Sequence, residues 1–134
     1  MIVLDTHTLV WLTEGSSDLG PEARKTIDEA FSADVPVSVS AIMFWEIAML
    51  ASKRRLRMVQ PVGAYRKEVL GLGIEEIPVT GETGIEAANL QGFHPDLADR
   101  LIVASTSLRR GILVTADRRI LEWPGVLSRI DARV

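Results

Sequence analysis

The chain has 134 residues, of which 47% are hydrophobic and 25% charged, with a formal net charge of −3 and no cysteine. This balance is typical of a single folded globular domain over residues 1–134, and the lack of cysteine excludes disulfides, thiolate nucleophiles and cysteine-based zinc sites. The net charge argues against a protein that coats nucleic acid through overall positive charge, although it leaves local basic patches open.

The chain begins with a short apolar run over residues 1–4, followed by Asp5. Such a run predicts a strand buried on both faces, with Asp5 at its carboxyl end and a helix starting within residues 8–12. No basic leader precedes Asp5, so we expect no secretory signal and a cytoplasmic protein. No apolar run approaches the roughly 20 residues of a membrane-spanning helix, so we expect no membrane attachment.

Helix and strand patterns alternate along the rest of the chain. Residues 21–31 are good helix formers behind a turn, and residues 35–40 alternate valine with polar residues, as a strand does. Residues 41–51 are apolar around the whole helical circumference except at Glu46, which predicts a helix buried on several sides. The later predicted elements are helices at 61–70, 80–90 and 97–108 and strands at 74–79, 112–115 and, as a short fifth strand, 126–130. This alternation predicts an α/β fold, a three-layer α/β/α sandwich with a parallel sheet of four to five strands.

Four acidic residues fall at positions that such a sheet brings to one edge. Ligands of open parallel sheets bind beyond the carboxyl ends of the strands. Asp5 and Asp117 follow two of the predicted strands, and Asp99 lies in the first turn of the helix that returns into the second of these strands. Glu46 lies further along its helix, but side chains tilt toward the helix N-terminus, so its long side chain can reach the same edge.

Glu46 is the most informative of these acids because it is the only charged residue between Ala41 and Ala51. A buried carboxylate is costly unless it is paired, protonated or bound to a metal. Four clustered carboxylates repel one another and raise one another's pKa values unless a divalent cation neutralises them. Oxygen ligands favour Mg²⁺ or Mn²⁺ over zinc. The cluster therefore predicts a metal site.

Ordinary structural roles remain open for several of these residues. Asp96 and Asp99 are placed to cap a helix, which is the favoured interpretation for Asp96, and Asp5 and Asp117 are also typical of Asx-turns.

Two of the acids have a threonine close by in the sequence. Thr6 follows Asp5, and Thr115 precedes Asp117 by two positions. Both hydroxyls are placed to orient carboxylates or waters, and both are equally compatible with ordinary turn chemistry. His7 suits a hydrogen-bonded turn better than a catalytic base.

Four segments occur at a characteristic spacing: LDTHTLVWL at 4–12, SAIMFWEIAML at 40–50, HPDLADRLIVA at 94–104 and LVTADRRIL at 113–121. In this order they resemble the PIN-domain ribonucleases, and among them the VapC toxins of bacterial toxin–antitoxin pairs, over nearly the whole chain. The resemblance implies that Asp5, Glu46, Asp99 and Asp117 form an acidic quartet. It implies direct metal binding by Asp5 and Asp99, with Glu46 and Asp117 acting through water. Relatives often carry Pro-Phe where this chain has Leu97-Ala98, which we interpret as a packing variation.

The same resemblance implies an α/β/α fold, Mg²⁺ or Mn²⁺ dependence and endonucleolytic cleavage of RNA. It also implies a homodimer and a small antitoxin that inhibits the enzyme by occupying the active-site groove, commonly with a basic residue among the acids. The hypothesis for the reaction is that a metal-activated water attacks the phosphodiester.

Binding of RNA near an acidic site requires local positive charge. The candidate RNA-binding residues are Lys53, Arg54, Arg55, Arg57, Arg100, Arg118 and Arg119. A solvated charged face is an equally good interpretation of each. The large apolar residues Trp11, Phe44, Trp45 and Met49 are better explained as core or dimer contacts than as platforms for stacking bases.

Two other functions compete with a metal-dependent nuclease. A haloacid-dehalogenase-type phosphatase also places an aspartate after its first strand, but it requires Asp-x-Asp where this chain has Asp5-Thr6-His7. A catalytically silent PIN module that only binds RNA or protein is the other alternative, and a missing acid would favour it. The chain contains no Walker loop, GxGxxG or HExxH motif, which excludes the sites that those motifs build.

Overall fold

The computed structural model describes residues 1–134. Its sheet has five strands: β1 Ile2–Leu4, β2 Val37–Ser40, β3 Glu75–Ile77, β4 Ile112–Thr115 and β5 Ser128–Asp131. All neighbouring strands are parallel, in the order β3-β2-β1-β4-β5. The predicted parallel sheet is confirmed, and the short fifth strand is part of it.

Seven helices flank the sheet and complete the predicted α/β/α architecture. They are α1 Thr6–Glu14, α2 Pro21–Ser32, α3 Ile42–Ser52, α4 Val62–Gly71, α5 Gly81–Asn89, α6 Leu97–Leu108 and α7 Arg118–Leu121. Only α7 has no counterpart among the predicted elements, because four residues are too few to show a helical period. None of the helices combines the length and apolar character needed to span a bilayer.

The burial of the strands follows their position in the sheet. The central strands β1 and β2 are buried at every residue, and β4 is buried at three of its four. The edge strands β3 and β5 have charged and partly exposed residues instead. Helices on both faces of a parallel sheet bury its central strands completely, which explains the continuous apolar sequence of β1. Strand β2 differs, because it alternates valine with the buried serines Ser38 and Ser40.

Strand order places a topological switch point between β1 and β4. The chain runs from β1 through β2 to β3 on one side, and then crosses back to β4 and β5 on the other. Adjacent strands whose connections leave in opposite directions open a crevice at their carboxyl ends. Asp5 follows β1 and Asp117 follows β4, so both residues border this crevice.

The helix α3 differs from its prediction. It buries Met43, Phe44 and Ile47, while the side of Trp45, which is 52% exposed, faces solvent. The expectation of a helix buried on several sides is therefore wrong for the single chain. Its neighbours α1, α4 and α6 cover only part of its circumference. The rest of its apolar surface, which includes Trp45, is left uncovered by this chain.

Candidate active site

A cleft of about 310 Å³ lies at the carboxyl ends of β1 and β4. Five of its lining residues are acidic. The residues that line it are Asp5, Thr6, His7, Trp11, Glu46, Leu50, Asp96, Asp99, Ala116, Asp117, Arg119 and Arg133. The structure thus brings all four predicted acids into one cleft, together with Asp96.

Asp5 is held on the inner side of the cleft by neutral donors. It caps α1, where its Oδ1 accepts a hydrogen bond of 3.0 Å from the main-chain nitrogen of Thr8. Its Oδ2 accepts a hydrogen bond from the Thr115 hydroxyl. Burial raises the pKa of Asp5, and the bonds from Thr115 and Thr8 oppose this rise. Both carboxylate oxygens are therefore fixed by the fold.

Glu46 is held in a similar way. It lies in the second turn of α3, and its Oε1 accepts a hydrogen bond from the Thr6 hydroxyl. Burial raises the pKa of Glu46, the Thr6 bond opposes the rise, and the charges of Asp96 and Asp5 add to it. The compensation that the sequence required for Glu46 thus comes in part from a neutral hydroxyl forty residues away.

Asp99 and Asp117, at the outer side of the cleft, are contacted by charged or ionisable groups. The Arg119 Nη2 lies 3.1 Å from Asp117 Oδ2 and 3.4 Å from Asp99 Oδ2. His94 Nε2 lies 3.1 Å from the same Asp99 oxygen. Asp117 also caps α7 through a bond of 2.8 Å from the main-chain nitrogen of Arg119.

The pKa values of the two outer acids move in opposite directions. Burial, together with the charges of Asp96, Asp117 and Glu46, raises the pKa of Asp99 to about 8. Burial also acts to raise the pKa of Asp117, but its bonds with Arg119 outweigh burial and hold it below the ordinary value. Of the two outer acids, Asp99 is therefore the one that holds a proton more easily.

Asp99 is shared by two sets of possible metal ligands. Glu46, Asp96 and Asp99 form one set and His94, Asp99 and Asp117 the other, and within each set the candidate donor atoms lie within 4.8 Å of one another. Carboxylate oxygens dominate both sets, as hard divalent cations require. The donors present therefore fit a divalent cation. Asp5 is in neither set, although the family resemblance implies a direct ligand there.

Asp96 and His94 were not among the predicted site residues. The structure confirms Asp96 as the cap of α6, since its Oδ1 accepts a bond of 3.0 Å from the nitrogen of Asp99. The same carboxylate faces the cleft. Burial and the charge of Arg119 lower the pKa of His94, whose ring stacks on Phe93 at 4.5 Å. His94 could have been recognised in the sequence by its position in the loop that leads to the N-terminus of α6, at the carboxyl edge of the sheet.

Comparison with known proteins agrees with this arrangement. The family model described as PIN domain matches residues 2–125. The chain belongs to the PIN-domain family. It is also 30% identical over 120 residues to ribonuclease VapC22 of Mycobacterium tuberculosis. The aligned region covers 89% of this chain and 88% of that relative. The chain is thus a VapC-type PIN-domain ribonuclease, as its sequence motifs indicated.

Solved structures support the same fold for this PIN domain. VapBC2 from Rickettsia felis, bound to a promoter DNA fragment, has a TM-score of 0.68 at 18% identity, covering 98% of this chain and 100% of that chain. A toxin–antitoxin complex from Klebsiella pneumoniae has a TM-score of 0.63 at 22% identity, with coverages of 96% and 97%. Membership of the PIN family decides against the haloacid-dehalogenase alternative.

The predicted RNA-binding residues of this PIN domain are dispersed. Lys53, Arg54, Arg55 and Arg57 are exposed, but α3 carries them away from the edge where it begins, by roughly 16 Å for an eleven-residue helix. None of the four lines the cleft.

The other predicted arginines differ from one another. Arg100 donates its hydrogen bonds to main-chain oxygens of Ala87, Leu90, Phe93 and His94. These bonds hold the loop before α6, so we assign Arg100 to the structure of that loop.

Arg118 is exposed and pairs with Glu122, the residue that follows α7. Arg119 lines the cleft, as does Arg133, which was not among the predicted residues.

Proposed function

We propose that residues 1–134 act as one catalytic domain, a Mg²⁺- or Mn²⁺-dependent endoribonuclease that serves as the toxin of a toxin–antitoxin pair. The observation that carries the proposal is the meeting of five carboxylates at the switch point of the sheet, with Asp99 common to two sets of donors. The identity to a VapC ribonuclease supports RNA as the substrate.

The ligands proposed for the metal are Asp99 and the members of its two sets. Glu46 and Asp96 complete the first set, and Asp117 and His94 the second. When bound, a divalent cation supplies the positive charge that activates water and stabilises the charge developing on the phosphodiester. Asp5 adds negative charge on the inner side, and its predicted direct contact with the metal stays part of this proposal.

The chain's own residues prepare the site for this chemistry. Thr115 and Thr6 fix the carboxylates of Asp5 and Glu46, so these groups need no rearrangement when substrate enters. The cleft is open to solvent on the side of Arg119, whose side chain is 60% exposed. A phosphodiester backbone can approach from this side, where an arginine meets it.

The partners of the enzyme are also part of the proposal. The Klebsiella pneumoniae structure that shares this fold is a toxin–antitoxin complex, and we propose a small antitoxin that covers the cleft of this chain. We further propose a homodimer in the cytoplasm. The exposed Trp45 on α3 is consistent with a contact between protein surfaces, because large apolar side chains are enriched at such contacts.

The test is a cleavage assay on structured RNA with Mn²⁺, with Mg²⁺ and with EDTA. We expect Asp5→Asn and Asp99→Asn each to lower the rate by on the order of 100-fold or more, since each removes a charge at the reacting centre. Asp28→Asn is the matched control, because Asp28 is an exposed acid on α2. Unchanged cleavage in both site variants would exclude the proposed site.

The same assay separates the enzyme from a silent PIN module. A silent module binds the RNA but produces no fragments with either metal. An active enzyme produces fragments with metal and none with EDTA.

A further inference from the structure

Arg119 forms the only arginine contacts with the acids of the cleft. One nitrogen, Nη2, lies 3.1 Å from Asp117 Oδ2 and 3.4 Å from Asp99 Oδ2, and Nε lies 3.4 Å from Asp117 Oδ1. A single guanidinium therefore joins acids from two different elements, α6 and the start of α7. In doing so it offsets part of their mutual repulsion.

The second arginine of the cleft is engaged elsewhere. The Nη1 of Arg133 donates a bond of 2.6 Å to the main-chain oxygen of Ala116. The guanidinium of Arg133 also lies 5.5 Å from the centre of the Trp11 ring. Arg133 is thus held by neutral partners, and the counter-charge of the outer acids depends on Arg119.

The position of Arg119 coincides with one of the two ligand sets. The two carboxylates that contact Arg119 Nη2, those of Asp99 and Asp117, also belong to the ligand set that includes His94. A cation held by both carboxylates would meet the guanidinium at the distance of a direct contact. Two positive groups repel strongly at such a distance.

We propose that Arg119 and the divalent cation compete for Asp99 and Asp117, so that metal binding moves the Arg119 side chain to the mouth of the cleft, where it binds an RNA phosphate. This inference rests on the proposed metal-dependent nuclease. The side chain can move without disturbing the core, because it is 60% exposed while the neighbouring Ile120 keeps α7 anchored in the interior.

The first experiment measures Mn²⁺ affinity by isothermal titration calorimetry with the full chain. We expect Arg119→Gln to bind Mn²⁺ about fivefold more tightly than wild type, because it removes a competing charge. Arg118→Gln makes the same change of charge one residue away, where the side chain pairs with Glu122 instead of the acids. Its affinity for Mn²⁺ should stay within about twofold of wild type.

The sign of this change separates competition from a structural role. A residue that merely supports the site would lower Mn²⁺ affinity when removed. Equal or weaker binding by Arg119→Gln overturns the inference, as does an equal gain in Arg118→Gln, which would mark a general effect of charge. If wild type and both variants all fail to bind Mn²⁺, the metal site of the proposed function fails as well.

The second experiment measures binding of a short RNA by fluorescence anisotropy in the Asp5→Asn background, because a 2′-blocked RNA would still be open to attack by water and this variant is expected to cleave RNA slowly. With saturating Mn²⁺, Arg119→Gln should weaken binding by about three- to fivefold, the usual scale of one exposed charge contact. With EDTA the loss should be smaller, because Arg119 then stays on the acids. An equal loss under both conditions, or no loss with Mn²⁺, overturns the inference.

Discussion

Asp5 and Glu46, on the inner side of the cleft, each accept a hydrogen bond from a threonine hydroxyl. Asp99 and Asp117, on the outer side, instead contact Arg119. The inner donors are neutral hydroxyls that are largely removed from solvent, so salt hardly screens these bonds. The outer contacts join the positive charge of Arg119 to two carboxylates. Because the Arg119 side chain is exposed, another cation can take its place.

This difference teaches how one small domain holds so much negative charge. Asp5 and Glu46 are placed by the packing of β4 and α1, which carry Thr115 and Thr6, and they are ready before any ligand binds. The outer acids are stabilised by an exchangeable charge. The inner side therefore sets the geometry of the site, and the outer side sets how tightly a cation is held.

Removal of the Thr115 hydroxyl should give the largest effect of a neutral substitution. Thr115→Val keeps the shape but deprives Asp5 of its bond, and deprives the nitrogen of Asp117 of a bond of 3.0 Å. We expect cleavage to fall by about 10- to 100-fold and stability to fall by about 1–3 kcal/mol. RNA cleavage and urea unfolding measure these changes.

Thr26→Val is the control, because the Thr26 hydroxyl bonds only within α2. The loss in Thr115→Val should be equal at about 0.05 M and about 0.5 M salt. A loss that disappears at high salt would show that the inner side also depends on charge, and would remove the distinction between the two sides.

A pH titration of stability should detect the proton that Asp99 holds. The pKa of Asp99 is raised from 3.8 to about 8 by burial and neighbouring acids. The folded chain thus keeps a proton that the unfolded chain releases, so stability without metal should fall as pH rises through this window. Asp99→Asn should make the dependence less steep, as measured by urea unfolding in EDTA. The slope that remains is expected from Asp5 and Glu46, whose pKa values burial also raises.

The control for this titration is Asp28→Asn, which should keep the slope of wild type. Binding of Mn²⁺ should also release a proton near neutral pH, which calorimetry in buffers of different ionisation enthalpy detects. Equal pH slopes in wild type and Asp99→Asn would contradict the assignment of the proton to Asp99.

The smallest effects are expected away from both sides of the cleft. Lys53 and Arg57 are exposed beyond the end of α3, where only long-range contact with RNA phosphates is open to them. Alanine at either position should raise KM by about twofold with kcat unchanged. Arg109→Ala, at the end of α6, is the control in steady-state kinetics, and a fall in kcat at Lys53 or Arg57 would place that residue nearer the chemistry.

Much of the fold could be predicted because its signals are local. The buried strands β1 and β4 have continuous apolar sequences, and α6 begins and ends at the residues its pattern indicates. The exposure of Trp45 could not be predicted, because the sequence of α3 is apolar on every side. Which side is covered depends on the helices that pack against it.

The site was predictable to the extent that strand ends determine it. Asp5 and Asp117 follow strands, so their approach follows from topology. The bonds from Thr6 to Glu46 and from Thr115 to Asp5 join residues that are 40 and 110 positions apart. No local pattern specifies such pairs. The contact of Arg119 with Asp99 likewise depends on α7, which is too short to recognise.

The most direct test of the metal site is anomalous diffraction from crystals grown with Mn²⁺. The predicted result is a peak in the cleft in contact with Asp99 and with members of one of its two ligand sets. If the peak lies in the set that contains Asp117, Arg119 should have moved off the acids. Peaks confined to surfaces outside the cleft, or a cleft peak that Asp99 does not contact, would contradict the metal site proposed for this ribonuclease.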